Sequence, residues 1–360
     1  MVRYQFIDDL IPLILDADEH WWPCHLAALA TVSSAWLFYV RKQLYPCPDI
    51  RSFSAAQKLA DTLKGNAYLA SLVKGISLQP NVPACSFHVR RLPPTAHKAI
   101  RELLQLEDLG RLTFGGDLTS KAALYLRLIA HPEAVEEIHI NGPAHARSES
   151  QALVEWDESF TFGFRNLRKL RLSHIDMIFT TANVPYPASF THLILEDVLF
   201  FHGNILQLLN GASSLKCLHV TSSDTMEDEL RRVLSSCAVD CLHYDVRKSA
   251  ATNPFADLDS RHGESIRCLH LDGHCMDIGI LTTLGEVFKN LEELVISGRL
   301  VRVLPREWAH FIRVGGLGSL RRLVLPWGTN EPPFAAWQGK ELEEIRAACL
   351  TRSITLMESK

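Results

Sequence analysis

The chain has 360 residues, of which 47% are hydrophobic and 22% are charged. This hydrophobic content is ample for a packed interior and excludes a predominantly disordered chain. Lys and Arg number 37 against 41 Asp and Glu, so the net charge is −4, and no run of basic residues occurs. This balance argues against nucleic acid or a membrane surface as the partner.

The cysteines and the first residues bear on the compartment. Nine cysteines form an odd set without an evident disulfide framework, and no Asn-x-Ser/Thr acceptor occurs. Residues 1–9 carry acids where a signal peptide needs an uninterrupted apolar core. No apolar run approaches the roughly 20 residues that span a bilayer. We therefore expect free thiols in a cytoplasmic or nuclear protein.

The first 50 residues carry apolar side chains at helical spacing. Two helical faces are predicted, with a connection between them over 16–23. They comprise Ile7, Leu10, Ile11, Ile14 and Leu15, followed by Leu26, Leu29, Ala30, Ser33, Trp36, Leu37 and Val40. Further on, Ser54 and Gln57 have the spacing of a capping box for a third helix, which Gly65 would end.

From residue 73 onward a strand pattern recurs, with apolar residues at the first, fourth and sixth positions. Successive copies start 23 to 36 residues apart. The first apolar residues are Val73, Leu109, Val135, Leu167, Phe190, Leu215, Val239, Ile266, Leu291 and Leu320, and a weaker copy contains Ile354 and Leu356. Leucine-rich repeats share this pattern and have a period of 20–29 residues.

The repeat predicts an α/β fold, namely an irregular leucine-rich-repeat solenoid. A curved parallel sheet would form from the strands, with helices on its convex side. Thr225 is predicted to cap a helix over 226–234, and Ser120 a helix over 121–130. Two polar stretches, 141–160 and 247–264, are predicted to be inserted loops, the first with a short helix in it.

The N-terminal sequence "FIDDLIPLILDADEH", followed by "LAALATVSSAWLFYVRKQLYP", resembles an F-box. With the repeats, the layout is similar to the large F-box/leucine-rich-repeat families of fungi. The resemblance implies three segments: an F-box-like helical module over 1–50, a helical link over 51–72, and a leucine-rich-repeat solenoid over 73–360. It also implies substrate recognition in a ubiquitin ligase, in which the module binds the Skp adaptor of a cullin complex and the repeats hold a protein target.

The resemblance is carried over residue by residue. Phe6 and Ile7 stand where the motif has Leu-Pro, and Asp9 stands for its Glu. Thr31, Ser33 and Ser34 replace the Leu, Cys and Arg of the second motif. The implied adaptor-binding residues are Phe6, Leu10, Ile14, Leu29, Val32 and Trp36. The alternative is that these helices only cover the end of a stand-alone repeat scaffold.

The tripeptide Cys-Leu-His occurs three times, and its cysteines are separated by 24 and 27 residues. Because the flanking leucines face the core, the variable positions should lie in columns on the concave surface. The predicted partner-binding residues of this surface are His139, Arg171, His219, His243 and His270. The cysteines Cys217, Cys241 and Cys268 form the next column.

Three interpretations of these columns remain open: a metal site, a binding groove, and a column that only fills surface, of which the last two are equally favoured. A metal site is disfavoured, because four parallel side chains at about 4.8 by 6.6 Å converge poorly on a tetrahedral ion. A binding groove is favoured, in which histidines gain charge near pH 6.5 and accept an acidic or phosphorylated segment beside Lys169 and Arg171. Asp245 and Asp272 argue against a purely anionic guest, and a column that only fills surface is the plainer alternative.

Sequence signatures of catalysis are missing. Gly315, Gly316 and Gly318 precede a strand rather than follow one, so they predict a turn and not a phosphate loop. No metalloprotease, nucleophile-elbow or P-loop motif occurs. We therefore predict a non-enzymatic protein without a cofactor. The candidate functions are, in order, a ligase subunit, a stand-alone interaction scaffold and a Cys/His metal-binding protein.

Overall fold

The computed structural model describes residues 8–17, 21–81, 93–143, 152–180, 190–209, 214–222, 226–246, 253–298, 302–326, 337 and 339–358. The chain divides into two compact units, Met1–His145 and Ala146–Lys360. Within the described residues, no helix has the length and apolarity needed to cross a membrane. The boundaries predicted at residues 50 and 72 stay predictions.

The first unit alternates helices with parallel strands. Its helices are α1 (Leu10–Asp16), α2 (Pro23–Leu29), α3 (Ser34–Leu44), α4 (Phe53–Lys64), α5 (Ala67–Leu72), α6 (Pro94–Leu103) and α7 (Ala122–Leu126). Its strands are β1 (Asp49–Ile50), β2 (Gly75–Leu78), β3 (Arg111–Gly115) and β4 (Glu137–Asn141), paired in that order. Short 3-10 helices cover Gly116–Lys121 and Pro132–Ala134.

Helices α1 to α3 form a small module with a core of its own, which we call the helical module. Its buried side chains are Ile11, Leu15, Leu26 and Val40. The Gln43 amide donates a hydrogen bond to the Asp16 carboxylate over 3.0 Å and so connects α3 to α1. The prediction of one helical face from Leu26 to Val40 is wrong, because Ser33 caps a new helix with a bond from the Trp36 N–H.

Two other predicted helix starts in this unit are wrong. The cap of α4 is Ser52, which accepts the Ala55 N–H over 3.1 Å, and Ser54 lies inside the helix. The predicted end of α4 at Gly65 is confirmed. Ser120 caps no helix, because it lies within a 3-10 turn, and α7 starts after Lys121 without a side-chain cap.

The second unit contains the longer parallel sheet. Its strands are β5 (Ala152–Trp156), β6 (Lys169–Ser173), β7 (Ile175–Phe179), β8 (His192–Glu196), β9 (Leu199–His202), β10 (Ser214–Ser222), β11 (Ala238–Val246), β12 (Cys268–Asp272), β13 (Glu293–Ser297), β14 (Arg322–Leu325) and β15 (Thr355–Glu358). Its helices are α8 (Glu158–Gly163), α9 (Ile205–Leu208), α10 (Glu227–Ser236), α11 (Ser260–Gly263), α12 (Ile278–Val287), α13 (Pro305–Arg313) and α14 (Gly339–Thr351).

Eight strands of this unit pair in the order β6-β8-β10-β11-β12-β13-β14-β15. The apolar repeat predicted a strand at each of these positions and at β2, β3 and β4, and these predictions are confirmed. The second and third apolar positions of each copy from β2 to β14 are buried, as Leu242 and Tyr244 in β11 are. The mixed α/β class with a large parallel sheet is therefore established.

A second, three-stranded parallel sheet, β5-β7-β9, was not predicted. The stretch 141–160 was expected to be a loop with a short helix, yet it contains β5 as well as α8. Strand β7 begins two residues after β6 ends, and β9 begins three residues after β8 ends. His174 and Asp197 make these turns with left-handed φ values of 53° and 50°, and an ion pair of 3.4 Å joins them. Non-glycine residues at such turns carry no strong sequence signal.

The remaining local predictions have mixed outcomes. Helix α10 starts one residue later than expected, at Glu227, with Met226 as its uncapped N-terminus, and Thr225 lies outside the described residues. The glycine-rich turn is confirmed, since Gly315 has a φ of 91° and β14 follows it. The stretch 247–264 contains the short helix α11.

Candidate functional site

One face of the eight-stranded sheet carries the variable positions of the repeat, and we call it the open face. Strand register aligns Arg171, Ile194, His219, His243, His270 and Val295 in one row. It aligns Cys217, Cys241 and Cys268 in the neighbouring row. The predicted columns of the second unit are therefore confirmed. His139 occupies the equivalent position on β4 of the first unit, where it pairs with Thr113 of β3.

The imidazole rings of this row lie next to one another, tilted by 31° between His219 and His243 and by 35° between His243 and His270. Ring centroids of His219 and His243 are 5.2 Å apart, and those of His243 and His270 are 3.8 Å apart. At its ends the row is held by hydrogen-bonding partners. The His219 Nε2 atom lies 3.1 Å from the Thr221 hydroxyl, and the His270 Nε2 atom lies 3.3 Å from the Glu293 carboxylate. The outer two imidazoles, those of His219 and His270, are thus oriented by polar partners.

The prediction that these histidines gain charge near pH 6.5 is wrong. Burial holds the pKa of His219 and that of His270 below the ordinary value, although Glu196 and Glu293 act in the opposite sense. Burial, followed by repulsion from His270 and His219, lowers the pKa of His243 to about 4. The row of histidines therefore stays neutral at physiological pH, because burial disfavours the charged form of each half-buried imidazole.

Two arginines beside the row, Arg171 and Arg322, already have partners. Arg171 donates to the Glu196 carboxylate over 2.8 Å, and Ser173 donates to its other oxygen over 2.7 Å. At the far end, Arg322 lies 3.3 Å from the Glu293 carboxylate. The open face therefore carries two arginines whose charges are compensated by carboxylates. It offers less to an acidic or phosphorylated segment than the sequence suggested.

The cysteine row forms a second feature of the open face. The eight cysteines within the described residues all carry free thiols. Hydrogen bonding between the Cys217 and Cys241 sulfurs lowers the pKa of Cys217 and raises that of Cys241. Cys268 also hydrogen-bonds to Cys241. The Sγ atoms of Cys217 and Cys241 and a ring nitrogen of His243 lie within 4.8 Å of one another.

The helical module carries a separate candidate surface. Helix α1 is apolar on two faces: Ile11 and Leu15 enter the core, whereas Leu10, Leu13 and Ile14 are exposed. Further exposed apolar side chains are Trp22 and Val32, which retain 69% and 63% of their accessible surface. Side chains three and four residues apart are neighbours on a helix. Leu10, Leu13 and Ile14 therefore form one continuous apolar stripe.

The predicted adaptor-binding residues separate into three groups. Leu10, Ile14 and Val32 are exposed. Leu29 and Trp36 are half-buried and pack against the core of the helical module, so both contribute to its folding. Phe6 lies outside the described residues. Sequence reasoning did not single out Leu13 and Trp22, because the exposure of an apolar side chain depends on how the helices pack.

Sequence reasoning also did not find a cleft of about 870 Å³ at the N-terminal ends of β12 to β15. Arg352 lies in its wall and donates hydrogen bonds to four carbonyls, those of Ile312, Gly316, Leu317 and Gly318. Arg267 and Arg321 both pair with Glu292. These guanidinium groups already have acceptors, and Arg352 holds the glycine-rich turn through its carbonyls.

Comparison of the chain with protein-family models found no match, and comparison with curated proteins found none either.

Proposed function

We propose that this protein is a substrate-recognition subunit of a Skp/cullin-type ubiquitin ligase. In this proposal the helical module binds the Skp-type adaptor, and the open face of an irregular leucine-rich-repeat solenoid binds a protein target. The observation that carries the proposal is the exposed apolar stripe of Leu10, Leu13 and Ile14 on a helix whose other apolar face is already buried. An apolar surface next to a completed core is typical of a protein-binding site.

The size of the helical module supports the same proposal. Its core contains four fully buried side chains. A module of this size gains little stability from burial alone, and docking onto a partner would add to it. The F-box resemblance places adaptor contacts on these same helices, with Leu10, Ile14 and Val32 among them.

The test is co-purification of the full chain with a Skp-type adaptor. The informative variant is Leu13→Asp combined with Val32→Asp, because both side chains are exposed and neither contributes to the buried core. The matched control is Leu350→Asp, a similarly exposed leucine of α14 in the second unit. Trp36→Asp is unsuitable because Trp36 packs against the core of the module. Circular dichroism and thermal unfolding verify that each variant folds.

We expect a 1:1 complex of the wild-type chain with the adaptor. The paired variant should abolish this complex, and the control should retain it. If the wild-type protein is folded but does not bind the adaptor, the ligase proposal is rejected. Equal loss in Leu350→Asp would show that the contact does not involve the helical module.

A stand-alone repeat scaffold is the second candidate, and specific contacts favour it. The rings of Phe38 in α3 and Tyr68 in α5 stack with centroids 6.3 Å apart. The carbonyl of Pro46 accepts the N–H groups of both Lys74 and Gly75 over 2.8 Å. These contacts tie the helical module to the following helix and strand, as a terminal cap requires. The scaffold predicts that Phe38→Ala lowers the unfolding midpoint and that no adaptor binds.

The charge of the open face indicates which kind of protein segment it can bind. Its histidines are neutral at pH 7 and its arginines are paired, so we expect a polar guest without high net charge. Replacement of His219, His243 and His270 by Ala should weaken capture of the target, and unchanged capture would exclude this surface.

A further inference from the structure

Three cysteines and three histidines lie in adjacent rows on β10, β11 and β12. Cys217 pairs in register with Cys241, and His219 pairs with His243. The function proposed above uses this face only as a polar surface and leaves the thiols without a role. Free thiols beside neutral imidazoles are the donor set of a zinc site.

The donor atoms are closer than the spacing of a flat sheet predicts. Straight side chains would form a rectangle of about 4.8 by 6.6 Å. Instead the Sγ atoms of Cys217 and Cys241 and a ring nitrogen of His243 all lie within 4.8 Å of one another. Zn–S and Zn–N bonds of about 2.3 and 2.0 Å place tetrahedral donors about 3.5 to 3.8 Å apart. Side-chain movements of about 1 Å would bring the three donor atoms from 4.8 Å to the separation of tetrahedral ligands.

Other features of the cluster fit an ion. Among the described residues, this is the one group of three or more His, Cys, Asp or Glu side chains with donor atoms this close. The three residues come from two paired strands of regular register, so the backbone holds them rigidly. All three are half-buried, which leaves an entry path and limits competition from bulk water.

We propose that Cys217, Cys241 and His243 bind one Zn²⁺ ion through two thiolates and a neutral imidazole. Binding releases the two thiol protons to solvent, so the bound unit of Zn²⁺ and two thiolates is neutral. A water molecule completes the tetrahedron, because Cys268, although next in the row, is not part of the close group. The ion cross-links β10 and β11 by joining Cys217 to Cys241, which are 24 residues apart in the sequence. The site lies in the second unit and is independent of adaptor binding.

The test uses the full chain, freed of metal and kept reduced. Titration with Co²⁺ should produce a thiolate-to-cobalt charge-transfer band and the visible bands of tetrahedral cobalt, saturating at one ion per chain. Zn²⁺ should then displace the cobalt with the same stoichiometry. Zinc should also raise the thermal unfolding midpoint, since an ion bound only by the folded state stabilises it. The adaptor does not take part, so the outcome is distinct from that of the function test.

Variants identify the ligands. Cys217→Ser, Cys241→Ser and His243→Asn should each weaken zinc binding by at least about 100-fold, since each removes a direct ligand. Cys268→Ser should preserve the 1:1 stoichiometry and change the affinity less than about tenfold. The matched control is Cys275→Ser, a half-buried free cysteine outside the group, and it should bind zinc like the wild type. Circular dichroism confirms that each variant folds.

The proposal is overturned if no thiolate-to-cobalt band forms in the wild-type protein. It is also overturned if Cys275→Ser weakens zinc binding as much as Cys217→Ser does. Loss of binding in Cys268→Ser with full binding in Cys217→Ser would likewise reject the assigned ligand set.

Discussion

The helical module and the eight-stranded sheet use apolar residues in different ways. In the sheet, each strand from β6 to β14 buries its core-facing apolar residues, as β11 buries Leu242 and Tyr244. In the module, α1 buries Ile11 and Leu15 but exposes Leu10, Leu13 and Ile14. The sheet therefore satisfies its apolar surface within the chain, whereas the module leaves part of it available to a partner.

The comparison teaches that apolar content alone does not distinguish folding from binding. Both regions are rich in Leu and Ile, and both form regular secondary structure. The difference is the number of neighbours that each element packs against. A strand inside a parallel sheet is covered on both edges and on one face, whereas a helix in a three-helix module retains an open face. The following predictions test this contrast.

The largest effect is expected in the sheet core. Leu242→Ala removes a fully buried side chain at the centre of β11 and should lower the free energy of unfolding by about 3 kcal/mol. Urea denaturation followed by circular dichroism measures this loss. The exposed Leu350→Ala should stay within about 0.5 kcal/mol of the wild type. Equal losses in the two variants would contradict the assigned core.

A smaller loss is expected on acidification, because His274 is buried against the Tyr244 ring with centroids 4.8 Å apart. Burial lowers the pKa of His274 from 6.5 to about 4 in the folded state, so the unfolded state takes up the proton first as the pH falls. The contribution of His274 to stability therefore declines between these values, by about 2 kcal/mol at pH 5 from pKa values of 6.5 and about 4, and the histidines of the open face add to this decline.

The measurement compares urea midpoints at pH 7 and pH 5 for the wild type and His274→Gln. The variant should show a smaller pH dependence. His202→Gln, which alters an exposed histidine of β9, should retain the wild-type dependence. Identical pH dependence in the wild type and His274→Gln would show that another group is responsible.

The helix next to the module tests how caps are chosen. Ser52→Ala should destabilise the protein by about 1 kcal/mol, because the Ser52 hydroxyl accepts the Ala55 N–H at the start of α4. Ser54→Ala should change stability by less than about 0.5 kcal/mol, since Ser54 is inside the helix and exposed. Chemical denaturation at pH 7 compares the pair. A larger loss of stability for Ser54→Ala than for Ser52→Ala would show that Ser54 caps the helix, as the sequence predicted.

The smallest effect on stability is expected for the exposed apolar side chains of the module. Val32→Ser should change the free energy of unfolding by less than about 0.5 kcal/mol, because Val32 keeps 63% of its surface accessible. The same variant should weaken adaptor capture if the proposed function is correct. Thermal unfolding of the free chain and a pull-down with the adaptor separate the two effects. A marked loss of stability would place Val32 in the core instead.

The sheet was predictable because its signal repeats. Each copy places apolar residues at the same three positions, and these side chains are buried in the core. A shift of one residue in strand pairing would move them to the other face of the sheet, so the pattern specifies the pairing register. The rows of cysteine and histidine followed from that register. The helix caps were less predictable, because neighbouring serines such as Ser52 and Ser54 carry nearly the same local signal.

The candidate sites show the same division. The sequence placed Cys217, Cys241 and His243 in adjacent rows but suggested parallel side chains that do not converge. The approach of their donor atoms depends on rotamers that neighbours select, including the adjacent ring of His270. The lowered pKa of His243 has the same origin, since burial and adjacent imidazoles act only in the folded chain.

The sequence by itself determined the α/β class, the positions of the strands in the apolar repeat and which side chains share a row, because all three follow from a periodic apolar pattern. Only the tertiary structure decided that β5, β7 and β9 form a second sheet, that Leu13 and Val32 are exposed, and that Trp36 is half-buried. These properties depend on contacts between residues far apart in the chain, and a local pattern carries no record of such contacts.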